Sequence, residues 1–166
     1  ETLLADVFPS LQAIAHAMRH LKSWMAPRRA LTDLLFWPGK SRVVPQPLGV
    51  VGIIAPWNYP LLLGIGPLVA ALAAGNRAIV KPSEFTPKFS GVLERVISDA
   101  FDVQEVAIVP GGPDVAQALT ELPLDHLLFT GSTRVGRKVA LAAAQNLTPV
   151  TLELGGKSPV ILDSTA

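Results

Sequence analysis

Val50-Val51-Gly52-Ile53-Ile54-Ala55 is a continuous apolar run rich in β-branched residues. Such a run predicts a strand that is buried on both faces of a sheet. Pro56-Trp57-Asn58-Tyr59-Pro60 follows it directly and forms a turn bracketed by prolines. An amide side chain held in this turn can donate to a developing oxyanion, which makes Asn58 a candidate catalytic residue. Taken alone, an Asn in such a setting is often only a turn former.

Helices and short apolar strands alternate after this turn. Strands are predicted at 78–81, 106–109, 126–129 and 150–154, and helices at 61–74, 87–101, 114–122 and 132–146. Gly75-Asn76 suits a left-handed cap at the end of the first of these helices. The alternation is typical of right-handed βαβ crossovers in a parallel sheet. The predicted fold class is α/β, a doubly wound, Rossmann-like parallel sheet that is truncated in this chain.

The first 49 residues have a different pattern. Apolar residues recur at helical spacing from Leu4 to Met25, which predicts a long amphipathic helix that ends at Pro27. Residues 28–40 are expected to be irregular. Arg42-Val43-Val44-Pro45-Gln46-Pro47 is expected to form an edge strand or an exposed arm, because its prolines remove donors that a central strand needs.

Composition excludes several classes of function. Hydrophobic residues make up 49% of the 166 residues and charged residues 16%, which is too apolar for a disordered chain. The net charge of +1 gives no electrostatic case for nucleic acid or an anionic membrane. With no cysteine, the chain holds no disulfide and no thiolate metal site. His16 and His20 lack a third ligand nearby, so no metal site is expected. No signal peptide is visible, and we expect a cytoplasmic protein.

Polar and glycine residues follow the ends of the predicted strands, where open parallel sheets bind ligands. Lys81-Pro82-Ser83-Glu84 places a cation and a carboxylate on one short turn, and Gly111-Gly112 follows the next strand. A ribose binds well between such groups, with Glu84 accepting from its hydroxyls. A solvated ion pair is an equally good interpretation of these four residues.

Gly131-Ser132 joins a predicted strand to a predicted helix. Gly131 permits a close approach of the backbone, and Ser132 could cap the helix and donate to a phosphate at its N-terminus. An ordinary N-capped helix explains the pair equally well when the motif is taken alone. Arg137-Lys138 occupies the positions where a P-loop needs Lys and then Ser or Thr, and no Gly-x-Gly-x-x-Gly fingerprint is present.

Glu153 lies in an otherwise apolar strand just before Gly155-Gly156. Burial would disfavour its charged form and so suit it to general-base work. A Glu that forms a salt bridge with a nearby Lys or Arg is the competing interpretation.

Together these segments resemble the aldehyde dehydrogenase superfamily, most clearly from Arg42 to Pro159. A finer resemblance, to coniferyl aldehyde dehydrogenases and class 3 enzymes, lies in Trp24-Met25, Arg28-Arg29, Asn58-Tyr59-Pro60-Leu61 and Leu147-Thr148-Pro149-Val150-Thr151-Leu152-Glu153. The resemblance implies an NAD(P)-dependent enzyme that oxidises an aldehyde, aromatic or medium-chain, to the acid through a cysteine thioester. It implies a homodimer or homotetramer with a small-molecule substrate and no nucleic-acid or membrane partner.

The resemblance also implies roles for individual residues. Asn58 would donate to the thiohemiacetal oxyanion, and Glu153 would activate the water that hydrolyses the thioester. The implied cofactor-binding residues are Pro56, Trp57, Lys81, Ser83, Glu84, Gly112, Gly131, Ser132, Val135, Leu154 and Gly155. A carboxylate at Glu84 favours NAD, because it repels a 2′-phosphate, while Lys81 and Ser83 leave NADP open.

The nucleophilic cysteine would lie beyond Ala166, so we expect the 166-residue chain to be inactive by itself. The resemblance divides the chain into an N-terminal helical segment of the cofactor-binding domain (1–41), an edge or oligomerisation arm (42–49), the NAD(P)-binding domain (50–155) and the start of the catalytic domain (156–166). Two alternatives remain: a non-catalytic nucleotide-binding protein on the same fold, and a reductase of acyl phosphates or acyl-CoA. The Glu153-Leu154-Gly155-Gly156 setting favours the hydrolytic enzyme over such a reductase.

Overall fold

A computed structural model describes residues 3–156 and 158–163 of the chain, so that the predicted segment 156–166 lies partly outside the described residues. A π-helical turn, Leu3–Val7, and a 3-10 turn, Leu34–Phe36, accompany the regular elements. The helices are α1 (Phe8–Trp24), α2 (Leu62–Ala73), α3 (Pro87–Ala100), α4 (Pro113–Thr120) and α5 (Thr133–Ala144). The strands are β1 (Arg28–Ala30), β2 (Ser41–Val43), β3 (Val50–Ile54), β4 (Arg77–Lys81), β5 (Val106–Ile108), β6 (His126–Gly131) and β7 (Val150–Leu154).

The main sheet has five parallel strands in the order β5-β4-β3-β6-β7. The chain runs outward from β3 through β4 to β5, and then crosses to the other side of β3 to form β6 and β7. A doubly wound sheet has two such runs in opposite directions from one strand. The predicted fold class is therefore confirmed.

Strand β3 is buried on both faces because its side chains alternate between two cores. Val51 and Ile53 pack with residues of α2 and α3, among them Leu68 and Leu93. Ile54 packs on the opposite face with residues of α4 and α5, including Leu119 and Val139. A polar face would have no place in such a strand, which explains the continuous apolar run of the sequence.

Helix α2 ends as Gly75-Asn76 predicted. Gly75 has φ +81°, the left-handed conformation that glycine adopts without a Cβ penalty. The Asn76 amide donates to the Ala71 carbonyl (3.0 Å) and the Gly75 amide to the Leu72 carbonyl (2.9 Å). These two bonds are those of a Schellman motif, which satisfies carbonyls that the helix leaves without partners.

The segment expected to be irregular, 28–40, contains a short strand and a helical turn, so that expectation is wrong in part. β1 pairs antiparallel with β2, with Arg28 opposite Val43 and Ala30 opposite Ser41. The pairing joins residues 11 to 15 positions apart, and an exposed strand such as β1 has no hydrophobic alternation by which it could be predicted. β2 ends at Val43, before the two prolines of the arm.

Helix α1 forms as predicted, but its apolar stripe does not face the sheet domain. Leu11 and Met18 are 58% and 76% exposed, whereas Ser10 and Ala17 are buried. α1 contacts α2, and small side chains let the two helices approach closely. Spacing of apolar residues therefore predicted the helix and not the face that it buries.

Two side chains fix the point where the arm enters β3. The buried Asn76 accepts from the amides of Leu48 (2.6 Å) and Gly49 (3.0 Å) and donates to the Ala71 carbonyl (3.2 Å). Asp125 accepts from the Val50 amide (2.7 Å) and would collide with a Cβ at Gly49. The amides at this junction thus have partners that lie far away along the chain.

We expect Asn76→Ala to lower the free energy of unfolding by about 1–3 kcal/mol, because it leaves partly buried amides without an acceptor. Urea unfolding measures the loss. Asn146→Ala, at an exposed side chain with one bond to the Glu121 carbonyl, is the matched control and should cost less. Equal losses in the two variants would contradict this description of the junction.

Candidate functional site

A cleft of about 800 Å³ lies at the carboxyl ends of β3 and β6. This is the point where the strand order reverses, the usual ligand site of doubly wound sheets. Its volume lies within the range of roughly 300–1,000 Å³ typical of small-molecule sites. Residues after β3, β4 and β6 form its floor, and residues of α4 and α5 form one wall. We call it the switch-point cleft.

Lys81 and Glu84 form an ion pair in this cleft, with 2.8 Å between Nζ and Oε2. The Lys81 side chain is 2% exposed and that of Glu84 35%. The hydrogen bond from Lys81 holds the pKa of Glu84 below its ordinary value of 4.5. The interpretation as a solvated pair is wrong for Lys81, which is buried at the end of an interior strand. Glu84 stays charged and reachable, as a group that accepts from hydroxyls must be.

The turn that carries this pair is held by its own hydrogen bonds. The Oγ of the buried Ser83 accepts from the Phe85 amide (3.3 Å), and the Ser83 carbonyl accepts from the hydroxyls of Thr86 (3.2 Å) and Ser90 (3.4 Å). These bonds link the turn to the first turn of α3. The carboxylate of Glu84 is therefore presented from a fixed backbone.

The junction of β6 and α5 forms another part of the cleft. Ser132 caps α5 as predicted, with its Oγ accepting from the Val135 amide (3.3 Å). A Cβ at Gly136 would lie 2.7 Å from Leu154 Cδ2, so that glycine brings α5 close to β7. No acidic residue lies in the first turn of α5, and the helix presents this N-terminus to the cleft through Ser132, Arg134 and Val135.

The structure brings most of the predicted cofactor-binding residues together. Those that line the switch-point cleft are Pro56, Trp57, Lys81, Ser83, Glu84, Gly131, Ser132 and Val135. Gly112, Leu154 and Gly155 do not line it. Gly112 precedes α4, and the following residue, Pro113, does reach the cleft. Leu154 packs beneath Gly136.

The two predicted catalytic residues lie outside the cleft. Asn58 is exposed in the turn between β3 and α2. Glu153 lies opposite Thr130 near the carboxyl end of β7 and is exposed, so the expectation of burial is wrong for this chain. β7 is an edge strand of the sheet, and among the described residues no strand covers its outer side. Within residues 3–156 and 158–163, Glu153 forms no ion pair, and the salt-bridge interpretation has no support there.

Sequence reasoning missed the wall of the cleft. It is formed by Ala116 and Thr120 of α4, by Lys138 and Leu141 of α5, and by Gln145, which directly follows α5. Spacings of three and four residues place such side chains on one helix face, and Leu141 is 72% exposed there. An apolar residue on the otherwise polar side of α5 was the signal that could have found this wall.

No group of three or more metal-ligating side chains occurs among the described residues. The His16 and His20 rings instead contact each other (ring centroids 4.2 Å apart) on the exposed side of α1, and His20 stacks with Trp24. In the part of the chain that the structure describes, no helix is both long and apolar enough to cross a bilayer.

The Lys81–Glu84 pair makes stability depend on pH. Because the pKa of Glu84 is lower in the folded chain than in the unfolded one, the pair stabilises the fold above pH 4.5, and this contribution disappears as pH falls through the lowered value. Glu84→Gln should cost about 1 kcal/mol at neutral pH, since solvent screens the partly exposed carboxylate.

Urea unfolding at neutral pH and near pH 3 measures this contribution. We expect the difference between the parent chain and Glu84→Gln to shrink in acid. Glu94→Gln, at an exposed position of α3, should behave as the parent does at both pH values. A cost of Glu84→Gln that is independent of pH would show that the pair does not stabilise the fold through its charges.

The chain matches the aldehyde dehydrogenase family over residues 3–166. It is 55% identical over 99% of its length to a protein named probable coniferyl aldehyde dehydrogenase from Pseudomonas aeruginosa, of which it covers 35%. The chain thus spans about a third of the length of the curated relatives that it matches.

Solved structures agree with this match. A substrate-bound AldH of Staphylococcus aureus superposes with a TM-score of 0.93 at 45% identity, over 98% of this chain and 36% of that one. An aldehyde dehydrogenase of Mycobacterium tuberculosis, solved with NAD+, superposes with a TM-score of 0.80 at 37% identity, over 90% of this chain and 31% of that one. The finer resemblance is confirmed as well, because the relatives include coniferyl aldehyde dehydrogenases and family 3 members. This chain therefore belongs to the aldehyde dehydrogenase family.

Proposed function

We propose that this chain is the cofactor-binding part of an NAD(P)-dependent aldehyde dehydrogenase that produces a carboxylic acid through a cysteine thioester. The observation that carries the proposal is the switch-point cleft, which places the buried Lys81, the ionised Glu84 and the N-terminus of α5 around one cavity. The relative named as a probable coniferyl aldehyde dehydrogenase supports an aromatic aldehyde, such as coniferyl aldehyde, as substrate, and a medium-chain aldehyde is the second candidate.

The residues present fit a nicotinamide dinucleotide. Glu84 accepts from ribose hydroxyls, and the amides at the start of α5 suit the pyrophosphate. The wall of α4 and α5 offers apolar surface to a flat ring. When bound, the nicotinamide supplies the oxidising power of the reaction. The solved relative in complex with NAD+ supports the same cofactor class here.

The charges of the cleft favour NAD over NADP. Glu84 is ionised at neutral pH and lies where the adenosine ribose would bind, so it repels a 2′-phosphate. The Lys81 ammonium group, bonded to Glu84 at 2.8 Å, offsets part of this repulsion, so NADP is the second candidate.

Asn58 and Glu153 act on the substrate in this proposal. The Asn58 amide donates to the oxyanion that forms when the cysteine adds to the aldehyde carbonyl. Glu153 takes a proton from the water that attacks the thioester, which releases the acid and regenerates the thiol. Both side chains are exposed in this chain, so the remainder of the protein would enclose them.

The cysteine comes from outside these 166 residues, which contain none, and the chain alone has no dehydrogenase activity in this proposal. The arm supports assembly into a homodimer or homotetramer, because Val43, Val44 and Leu48 are exposed on it, as are Leu34, Leu35, Phe36 and Trp37 in and directly after the 3-10 turn that precedes it. The cytoplasmic location stays a prediction.

The experiment that tests the proposal is Glu153→Gln in the full-length protein that contains this chain. Stopped-flow absorbance should show a burst of about one reduced cofactor per site, because acylation does not need the base. Steady-state turnover should fall about 10²- to 10⁴-fold. Glu94→Gln is the matched control, since it makes the same change on an exposed face of α3, and it should leave both phases unchanged.

Other results would point to the alternatives. If Glu153→Gln leaves both burst and turnover as in the parent, the role of Glu153 is wrong, and transfer of the acyl group to phosphate or coenzyme A becomes the better account. A parent protein that binds NAD+ but shows neither burst nor turnover would be the non-catalytic binding protein.

A further inference from the structure

Asp6 is a carboxylate buried near the start of the chain, with 6% of its surface exposed. Its Oδ1 accepts from the Leu62 amide at 2.7 Å, across 56 residues of sequence. Burial of a carboxylate is costly unless hydrogen bonds compensate for the lost water. The Leu62 amide offers such a bond, which joins the segment before α1 to the first residue of α2.

Helix α2 has no cap of its own. Leu61 occupies the N-cap position and offers no side-chain oxygen, so the Leu62 amide, the first of the helix, needs an acceptor from elsewhere. A carboxylate is the best acceptor at that end, because its negative charge also interacts favourably with the partial positive charge of a helix N-terminus. Asp6 therefore serves as the cap of α2. The Ser10 hydroxyl donates to the Asp6 carbonyl (2.7 Å) and ties this residue to α1.

The capped end of α2 is one of two anchors of the turn that carries Asn58. At the other end, the Ala55 amide donates to the Lys81 carbonyl (3.0 Å) and fixes the exit from β3. The Tyr59 carbonyl accepts from the Leu63 amide (3.0 Å), so the residue after Asn58 already belongs to the first turn of the helix. A displacement of this helix end would displace Asn58 with it.

We propose that Asp6 is a positioning residue for Asn58: by capping α2, it sets where the Asn58 amide lies for the oxyanion. This inference rests on the proposed function, in which Asn58 donates to that oxyanion. Oxyanion donors are sensitive to position, since misplacement by about 1 Å can cost up to about 100-fold in rate. Loss of the cap should therefore lower kcat and change KM for NAD+ little.

A double-mutant cycle in the full-length protein tests the proposal. Asn58→Ala should lower kcat about 10²- to 10³-fold. Asp6→Ala should lower kcat about 10-fold or more, with KM for NAD+ within about threefold of the parent. Because Asp6 acts through Asn58, adding Asp6→Ala to Asn58→Ala should cost less than about twofold more. Asp6→Asn keeps an oxygen for the Leu62 amide and should recover most of the lost kcat.

Ser10→Ala is the matched control for stability. It removes a buried hydroxyl that holds the same turn and lowers Tm, but leaves the bond from Asp6 to Leu62 in place, so kcat should stay within about twofold of the parent. If Ser10→Ala reduces kcat as Asp6→Ala does at a similar loss of Tm, the effect of Asp6 is merely structural and the inference falls.

The two possible failures are distinct. An unchanged kcat in Asn58→Ala would overturn the proposed role of Asn58 and with it this inference. A reduced kcat in Asn58→Ala together with losses that multiply in the double variant would overturn the inference alone. Should Asp6→Ala not fold, Asp6→Glu replaces it in the cycle, because its extra carbon shifts the acceptor. Asp6→Glu alone should lower kcat at least threefold, and adding it to Asn58→Ala should cost less than about twofold more. An unchanged kcat in Asp6→Glu, or losses that multiply in the double variant, would overturn the inference.

Discussion

Burial of β3 on both faces is the constraint on which the other features depend. The strand is central in the sheet, so α2 and α3 must cover one face and α4 and α5 the other. Covering both faces forces the chain to leave β3 in one direction and return in the other. The crevice at the carboxyl ends of β3 and β6 is a consequence of that reversal, and the polar ends of the strands open into it.

Helices α2 and α5 follow the two strands at this reversal, β3 and β6, and their N-termini are used differently. In a doubly wound sheet with a glycine fingerprint, the first strand-to-helix turn binds the pyrophosphate. Here that turn contains Asn58 between prolines, and the Asp6 carboxylate is already bonded to the first amide of α2. The start of α5 carries only the neutral Ser132 cap. The chain thus leaves α5 as the N-terminus suited to an anionic ligand.

Features encoded by neighbouring residues could be predicted from the sequence, and features encoded by distant ones could not. The run at Val50, the left-handed Gly75 and the cap at Ser132 depend on a few adjacent residues, and each was correctly predicted. The strand pairing of Arg28 and the bond from Asp6 to Leu62 join segments far apart in the chain. The exposure of Glu153 follows from the place of β7 at the sheet edge, which the order of elements along the chain does not reveal.

A crystal structure of the full-length protein with NAD+ is the measurement that would decide most. We predict that the pyrophosphate lies at the start of α5, beside Ser132, and that Glu84 accepts from the hydroxyls of the adenosine ribose. Asp6 should stay bonded to the Leu62 amide. A pyrophosphate at the start of α2, or a dinucleotide outside the switch-point cleft, would contradict this account.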